Sequence, residues 1–177
     1  IKETQPIRSL IFDDERMRED GMGQLLLFVA DRRVHLKLQV IPALNSGTVV
    51  VSDRFSDSTF VYQSERGVEL KTIFDLDKMA RSGLEGQFSE IKPDLVILLD
   101  VDPRVGMIRK ETGDRKDENY FDKDKIGRQA ARRARYLRLA HQDGHEIIDT
   151  TDLTQEQVFE KVVEILRNRR ILPKEKR

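Results

Sequence analysis

The sequence predicts an α/β fold in which a parallel sheet is flanked by helices. Three observations carry this expectation. Short, uninterrupted apolar stretches at 48–52, 94–101 and 145–149 read as buried strands. Longer segments with helical apolar spacing separate them, the alternation that builds a parallel sheet. The first stretch, Thr48–Ser52, also ends abruptly in Asp53 and Arg54 and a run of hydroxyls. Open parallel sheets bind ligands at the carboxyl ends of their strands, so this is where chemistry is expected.

Taken in order, residues 4–12 carry Ile7, Leu10, Ile11 and Phe12 at helical spacing, followed by the charged patch 13–20. Residues 24–44 predict a long helix, with Leu25, Phe28, Val29, Leu36, Val40 and Leu44 recurring on one side. Pro42 predicts a kink or break near its end, because proline removes a donor and clashes with the preceding turn. Asn45-Ser46-Gly47 is a turn signal before the first strand. Residues 70–84 predict a helix with Ile73, Phe74, Leu76, Met79 and Ala80 inward, and Lys92-Pro93 breaks the chain before the second strand. A short helix from Pro103 to Lys110, a charged loop at 111–119 and a basic amphipathic helix at 121–142 follow. The last helix, 154–169, opens on a capping box at Thr154 and turns Val158, Val162, Val163, Ile165 and Leu166 inward. Residues 174–177 read as a solvated tail. No repeat or low-complexity linker interrupts the chain, which predicts a single domain over 1–177.

Composition narrows the function classes. The chain has 177 residues, 38% of them hydrophobic, enough for a core of ordinary size. Its 32 basic and 32 acidic residues cancel, which argues against a nucleic-acid partner held by a general basic field. With no cysteine, disulfides, thiolate metal sites and a thiol nucleophile are excluded. No run approaches the roughly 18 apolar residues of a membrane span, and no secretory pattern opens the chain. The expectation is a cytoplasmic protein without a membrane or nucleic-acid partner.

Several residues suit a phosphate-bearing small molecule. A carboxylate at a strand end, Asp53, can order the water shell of Mg²⁺, and a guanidinium, Arg54, can fork onto phosphate oxygens. A turn aspartate and a surface arginine would give the same dipeptide. Ser58 and Tyr62 lie four apart on the helix expected after Arg54, with Gln63 beside them, a face suited to a nucleobase; a polar helix start reads equally well. Phe28 and Arg32 are also four apart, suiting stacking and a hydrogen bond to a base, or a core ring beside a snorkelling arginine. Arg109 and Arg115 flank a charged loop of the kind that clamps a transferring phosphoryl group, although most charge runs are only solvated. His35, His141 and His145 show no metal-ligand spacing. The basic cluster 128–138 is interleaved with alanines, as in an ordinary helix with a wet face.

These segments together resemble the bacterial thymidylate kinase family. LLLFVADRRVH (25–35) resembles its LLF-x-A-x-R helix, and DRFSDSTFVYQ (53–63) its DR[YFH]-x-x-S-x-x-AYQ signature. PDLVILLDVDPRVGMIR (93–109), GDRKDE (113–118), RARYLRLA (133–140) and IIDTT (147–151) resemble its later segments in the same order. The resemblance implies a nucleoside monophosphate kinase fold of the P-loop type and phosphoryl transfer from ATP to dTMP, with Mg²⁺. It implies that Phe28 stacks on thymine while Arg32 bonds its O4 edge. Ser58 and Gln63 would read the base, Tyr62 would crowd the 2′ position, and Arg54 would hold the dTMP phosphate with Asp53 beside the Mg²⁺ shell. Arg115, helped by Arg109, would stabilise the transferring group from a lid at 111–119, and the loop after Asp149 would lie near adenine. A homodimer is implied as well.

One departure is specific. No GxxxxGK[ST] loop occurs in the 177 residues, so the lysine and backbone amides that cradle ATP phosphates in this family are not among them. The expectation is an N-terminally incomplete domain without the family's first, central strand. A non-catalytic nucleotide-binding relative is one rival reading. A deoxynucleoside kinase is another, opposed by Tyr62-Gln63 and the LLF-x-A-x-R helix.

Overall fold

The computed structural model describes residues 5–84, 89–112 and 126–173. They fall into two compact units, Ile1–Pro93 and Asp94–Arg177. The expected tail at 174–177 and most of the expected lid loop lie outside the described residues.

The first unit is helical: α1 (Gln5–Asp13), α2 (Glu15–Arg18), α3 (Gly21–His35), α4 (Ile41–Asn45), α5 (Ser56–Glu65) and α6 (Leu70–Arg81). Asp14 and Asp20 cap α2 and α3, each accepting a backbone N–H through its side chain. The long helix expected over 24–44 is divided. A π-helical turn, Leu36–Val40, joins α3 to α4, with the Ile41 N–H reaching back to the Leu36 carbonyl. Pro42 stands two residues beyond it, has no N–H to give Leu38, and crowds that carbonyl, so the ladder widens there. Two apolar clusters hold this unit. Leu36, Ile41, Leu84 and Ile91 form one, and Leu25, Val68 and Ile73 the other.

The expected strand at 48–52 is not formed. Val49, Val50 and Val51 are 61%, 37% and 90% exposed, and the segment has no regular structure. A strand needs a neighbour for its N–H and C=O groups, and no neighbouring strand stands beside this segment among the described residues of its unit. The inward face of α6 also differs from expectation. Ile73 and Ala80 are buried, but Phe74 and Met79 are exposed, and the charged Asp77 and Arg81 are buried in their place.

The second unit carries the sheet. Strands β1 (Ile97–Asp100) and β2 (Glu146–Asp149) pair in parallel, with Ile97 opposite Glu146 and Asp100 opposite Asp149. Helices α7 (Pro103–Thr112), α8 (Ile126–Asp143) and α9 (Gln155–Asn168) accompany it in the order expected of a parallel α/β sheet. The capping box at Thr154 is present, with Thr154 Oγ1 accepting from Gln157 N and Gln157 Oε1 accepting from Thr154 N. At the carboxyl end of β1, Arg133 of α8 forks onto both Asp100 oxygens at 2.7 Å. That hydrogen-bonded carboxylate raises the Arg133 pKa.

Candidate functional site

In the first unit the polar chemistry gathers along the seam between α3 and α5. Gly21 opens α3 against the end of α5: a Cβ there would lie 2.8 Å from Arg66 Cβ and 3.2 Å from its carbonyl oxygen. At the other end Arg32 of α3 reaches Phe55 and Thr59 at the start of α5. The two helices therefore run antiparallel. Phe28 and Arg32 lie one turn apart on α3, and Thr59 and Gln63 one turn apart on α5.

Arg32 is held on several sides. Its Nη1 donates to Asp77 Oδ1 at 2.6 Å, and its Nη2 to Thr59 Oγ1 at 2.8 Å and the Phe55 carbonyl at 3.1 Å. The guanidinium lies 5.1 Å from the centre of the Phe55 ring. Burial pushes the Arg32 pKa down, and the Asp77 carboxylate opposes that shift. Asp77, fully buried, also accepts from Ser56 Oγ at 2.9 Å and from Arg81 Nε at 2.7 Å. Arg81 Nη1 continues the network to Glu90 at 2.5 Å. Burial pushes the Glu90 pKa up, but Lys92 and Arg81 outweigh it and hold the carboxyl below its usual range. Isolated buried charges are costly, and two cations alternating with two anions remove that penalty by pairing.

Sequence reasoning missed Asp77, Thr59, Ser56 and Arg81. The signal was present: Asp77 falls four residues after Ile73 and three before Ala80, on the stripe α6 buries. Arg33 was missed as well. Its guanidinium donates to the carbonyls of Met79, Ala80, Ser82 and Gly83, closing the end of α6.

Gln63, which the sequence singled out, is fully buried, and neither polar atom of its amide has a hydrogen-bond partner. Gln24, one turn before Phe28 on α3, is in the same state. The antiparallel pairing brings the two amides to the same level of the seam. A buried unpaired amide costs on the order of 1–3 kcal/mol. Replacing Gln24 by leucine is therefore expected to raise stability by about 1–2 kcal/mol, measured by urea denaturation of both proteins without ligand.

Phe28 packs edge-on against Phe12 of α1, with ring centres 6.1 Å apart. Tyr62 is half-buried, with the Arg54 guanidinium 5.8 Å from its ring centre. Arg54 itself has φ +70°, a left-handed conformation that few residues other than glycine adopt. Its carbonyl accepts from Ser52 Oγ at 2.8 Å, which fixes the turn. Ser58 is half-buried on α5, while Asp53 is exposed. Among the described residues, no three His, Asp or Glu side chains gather as a metal cage. A lone exposed carboxylate fits Mg²⁺ only in the mode where substrate phosphates and water complete the shell.

In the second unit, Arg109 of α7 donates to the Thr151 and Leu153 carbonyls at 2.8 and 3.2 Å, which ties it to the loop after β2. The Asp149 pKa is lowered by the Thr151 hydrogen bonds in that loop. Arg115 lies outside the described residues.

The family model described as thymidylate kinase matches residues 4–162, most of the chain. The chain belongs to the thymidylate kinase family. Solved structures agree with the fold. The thymidylate kinase of Ehrlichia chaffeensis is 22% identical, with a TM-score of 0.66 over 92% of this chain and 74% of that one. The thymidylate kinase of Candida albicans is 23% identical, with a TM-score of 0.64 over 94% of this chain and 74% of that one. Likeness at that identity speaks for the fold: an α/β kinase architecture with a parallel sheet flanked by helices.

Proposed function

We propose that this chain supplies the acceptor-nucleotide site of a kinase that transfers a phosphoryl group from ATP to dTMP. The observation that carries the reading is the α3–α5 seam. A largely buried arginine with unspent donors and an unpaired, buried glutamine amide lie along one packed seam of a chain in the thymidylate kinase family. In this reading Phe28 stacks on the base, Arg32 donates to its O4, and Ser58 and Gln63 read its edge. Tyr62 crowds the 2′ position and so favours deoxyribose. Arg54 holds the acceptor phosphate, and Asp53 orders water around Mg²⁺, which when bound neutralises charge on the transferring group. Arg109 and Arg115 act on the ATP side, Arg115 as the lid arginine that would make the chain of the bacterial type. Because no GxxxxGK[ST] loop occurs here, we infer that the cradle for the ATP phosphates comes from outside these residues. A homodimer in the cytoplasm completes the reading.

Isothermal titration of the 177-residue chain with dTMP and with thymidine tests this reading. An Arg54 contact to the phosphate predicts that dTMP binds about 10- to 100-fold more tightly, the worth of one charge-assisted hydrogen bond. Equal affinity for the two would remove the phosphate role and favour a nucleoside acceptor.

A further inference from the structure

We infer that Asp77 is a positioning residue that sets base selectivity, by clamping the donor-only guanidinium of Arg32 in place. The inference rests on the acceptor-site reading above and adds a residue which that reading does not use. Of the five N–H groups of a guanidinium, Arg32 spends one on Asp77, one on Thr59 and one on the Phe55 carbonyl. The Nε–H and one Nη1 hydrogen are what remain for a ligand. Arg32 has no acceptor atom. A base edge placed against it must therefore offer a carbonyl oxygen, as thymine and uracil do, and an amino group at that position meets a donor facing a donor.

A loose arginine would not discriminate in this way, because its long side chain could swing aside for an amino group. The geometry removes that freedom. The Arg32 side chain keeps only 10% of its surface, and its anchor Asp77 keeps none. Asp77 is itself held from two further sides, by Ser56 Oγ and Arg81 Nε, and Arg81 is held by Glu90 and the Ile91 carbonyl. The clamp thus runs from α6 through a fully buried carboxylate, which Ser56 and Arg81 hold in place, to Arg32 of α3.

The test compares Asp77→Asn with the unaltered chain. The asparagine keeps the shape of the side chain and removes its charge. Affinities for dTMP and dCMP are measured by isothermal titration, and the hydrogen exchange of the Arg32 Nε–H by nitrogen-15 NMR. The expected result is a loss of about tenfold in the preference for dTMP over dCMP, with faster Nε–H exchange. Thr59→Val, which removes a second anchor, shifts the preference the same way by about threefold. A role confined to folding would lower the melting temperature and leave the ratio untouched, and that outcome overturns the inference. Should the unaltered chain bind neither nucleotide, the acceptor-site reading fails by itself. The clamp is then decided by the exchange rate, and an unchanged rate in Asp77→Asn overturns it.

Discussion

Replacing Asp77 by alanine is expected to cost about 3–5 kcal/mol of folding stability, a large part of the roughly 5–15 kcal/mol a domain of this size possesses. The carboxylate is fully buried and takes hydrogen bonds from Arg32, Ser56 and Arg81. Without it two guanidinium groups remain in a low-dielectric interior, with side chains only 10% and 8% exposed. The penalty is mostly that of the stranded cations rather than of lost attraction. A second variant separates the two. With Arg32→Met, Asp77→Leu and Arg81→Met combined, no charge is stranded, because Glu90 keeps Lys92 at 3.1 Å. That triple variant is expected to recover most of the stability while losing recognition of the base. Guanidinium denaturation of the unaltered chain, the alanine variant and the triple variant checks both statements. An alanine variant within about 1 kcal/mol of the unaltered chain would mean that the network is not buried in solution.

The same network shows why the sequence was informative in some places and silent in others. Periodicity located α3, α6, α8 and α9, because each carries apolar residues at helical spacing that are buried or, in α9, half-buried, and local signals such as Thr154–Gln157 and Asn45-Ser46-Gly47 need only near neighbours. The parallel pairing of 97–100 with 146–149 was legible as two apolar runs separated by helices. What failed depended on partners distant along the chain. Val49–Val51 has the composition of a buried strand, but a strand is made by its neighbours, and the valines stand exposed without one. Asp77 and Arg81 were not named among the inward residues of α6, because the cation that makes burial of the Asp77 carboxylate tolerable, Arg32, lies 45 residues earlier. Of the candidate site, Phe28, Arg32, Tyr62 and Gln63 were named from helix-face logic alone. Thr59, which holds Arg32 directly, was passed over for its neighbour Ser58.

Arg54 offers the other large effect, and it joins backbone strain to binding. At φ +70° a residue with a Cβ costs roughly 1–2 kcal/mol more than it would in an ordinary conformation, and glycine escapes that cost. Both Arg54→Ala and Arg54→Gly remove the guanidinium and its contact with the Tyr62 ring. Both are expected to weaken dTMP binding by about 10- to 100-fold and to leave thymidine binding unchanged. They should differ in stability, with the glycine variant firmer by about 1 kcal/mol. Titration calorimetry and thermal denaturation on the same two proteins read both quantities. Equal stability would show that the turn relaxes once the side chain is gone, and that the Ser52 bond to the Arg54 carbonyl at 2.8 Å does not enforce the left-handed backbone. Undiminished dTMP affinity would remove Arg54 from the site. For stability alone glycine is the better residue at this turn. An arginine held there against its backbone preference, at the end of the 48–52 segment, is understandable when its side chain serves a ligand.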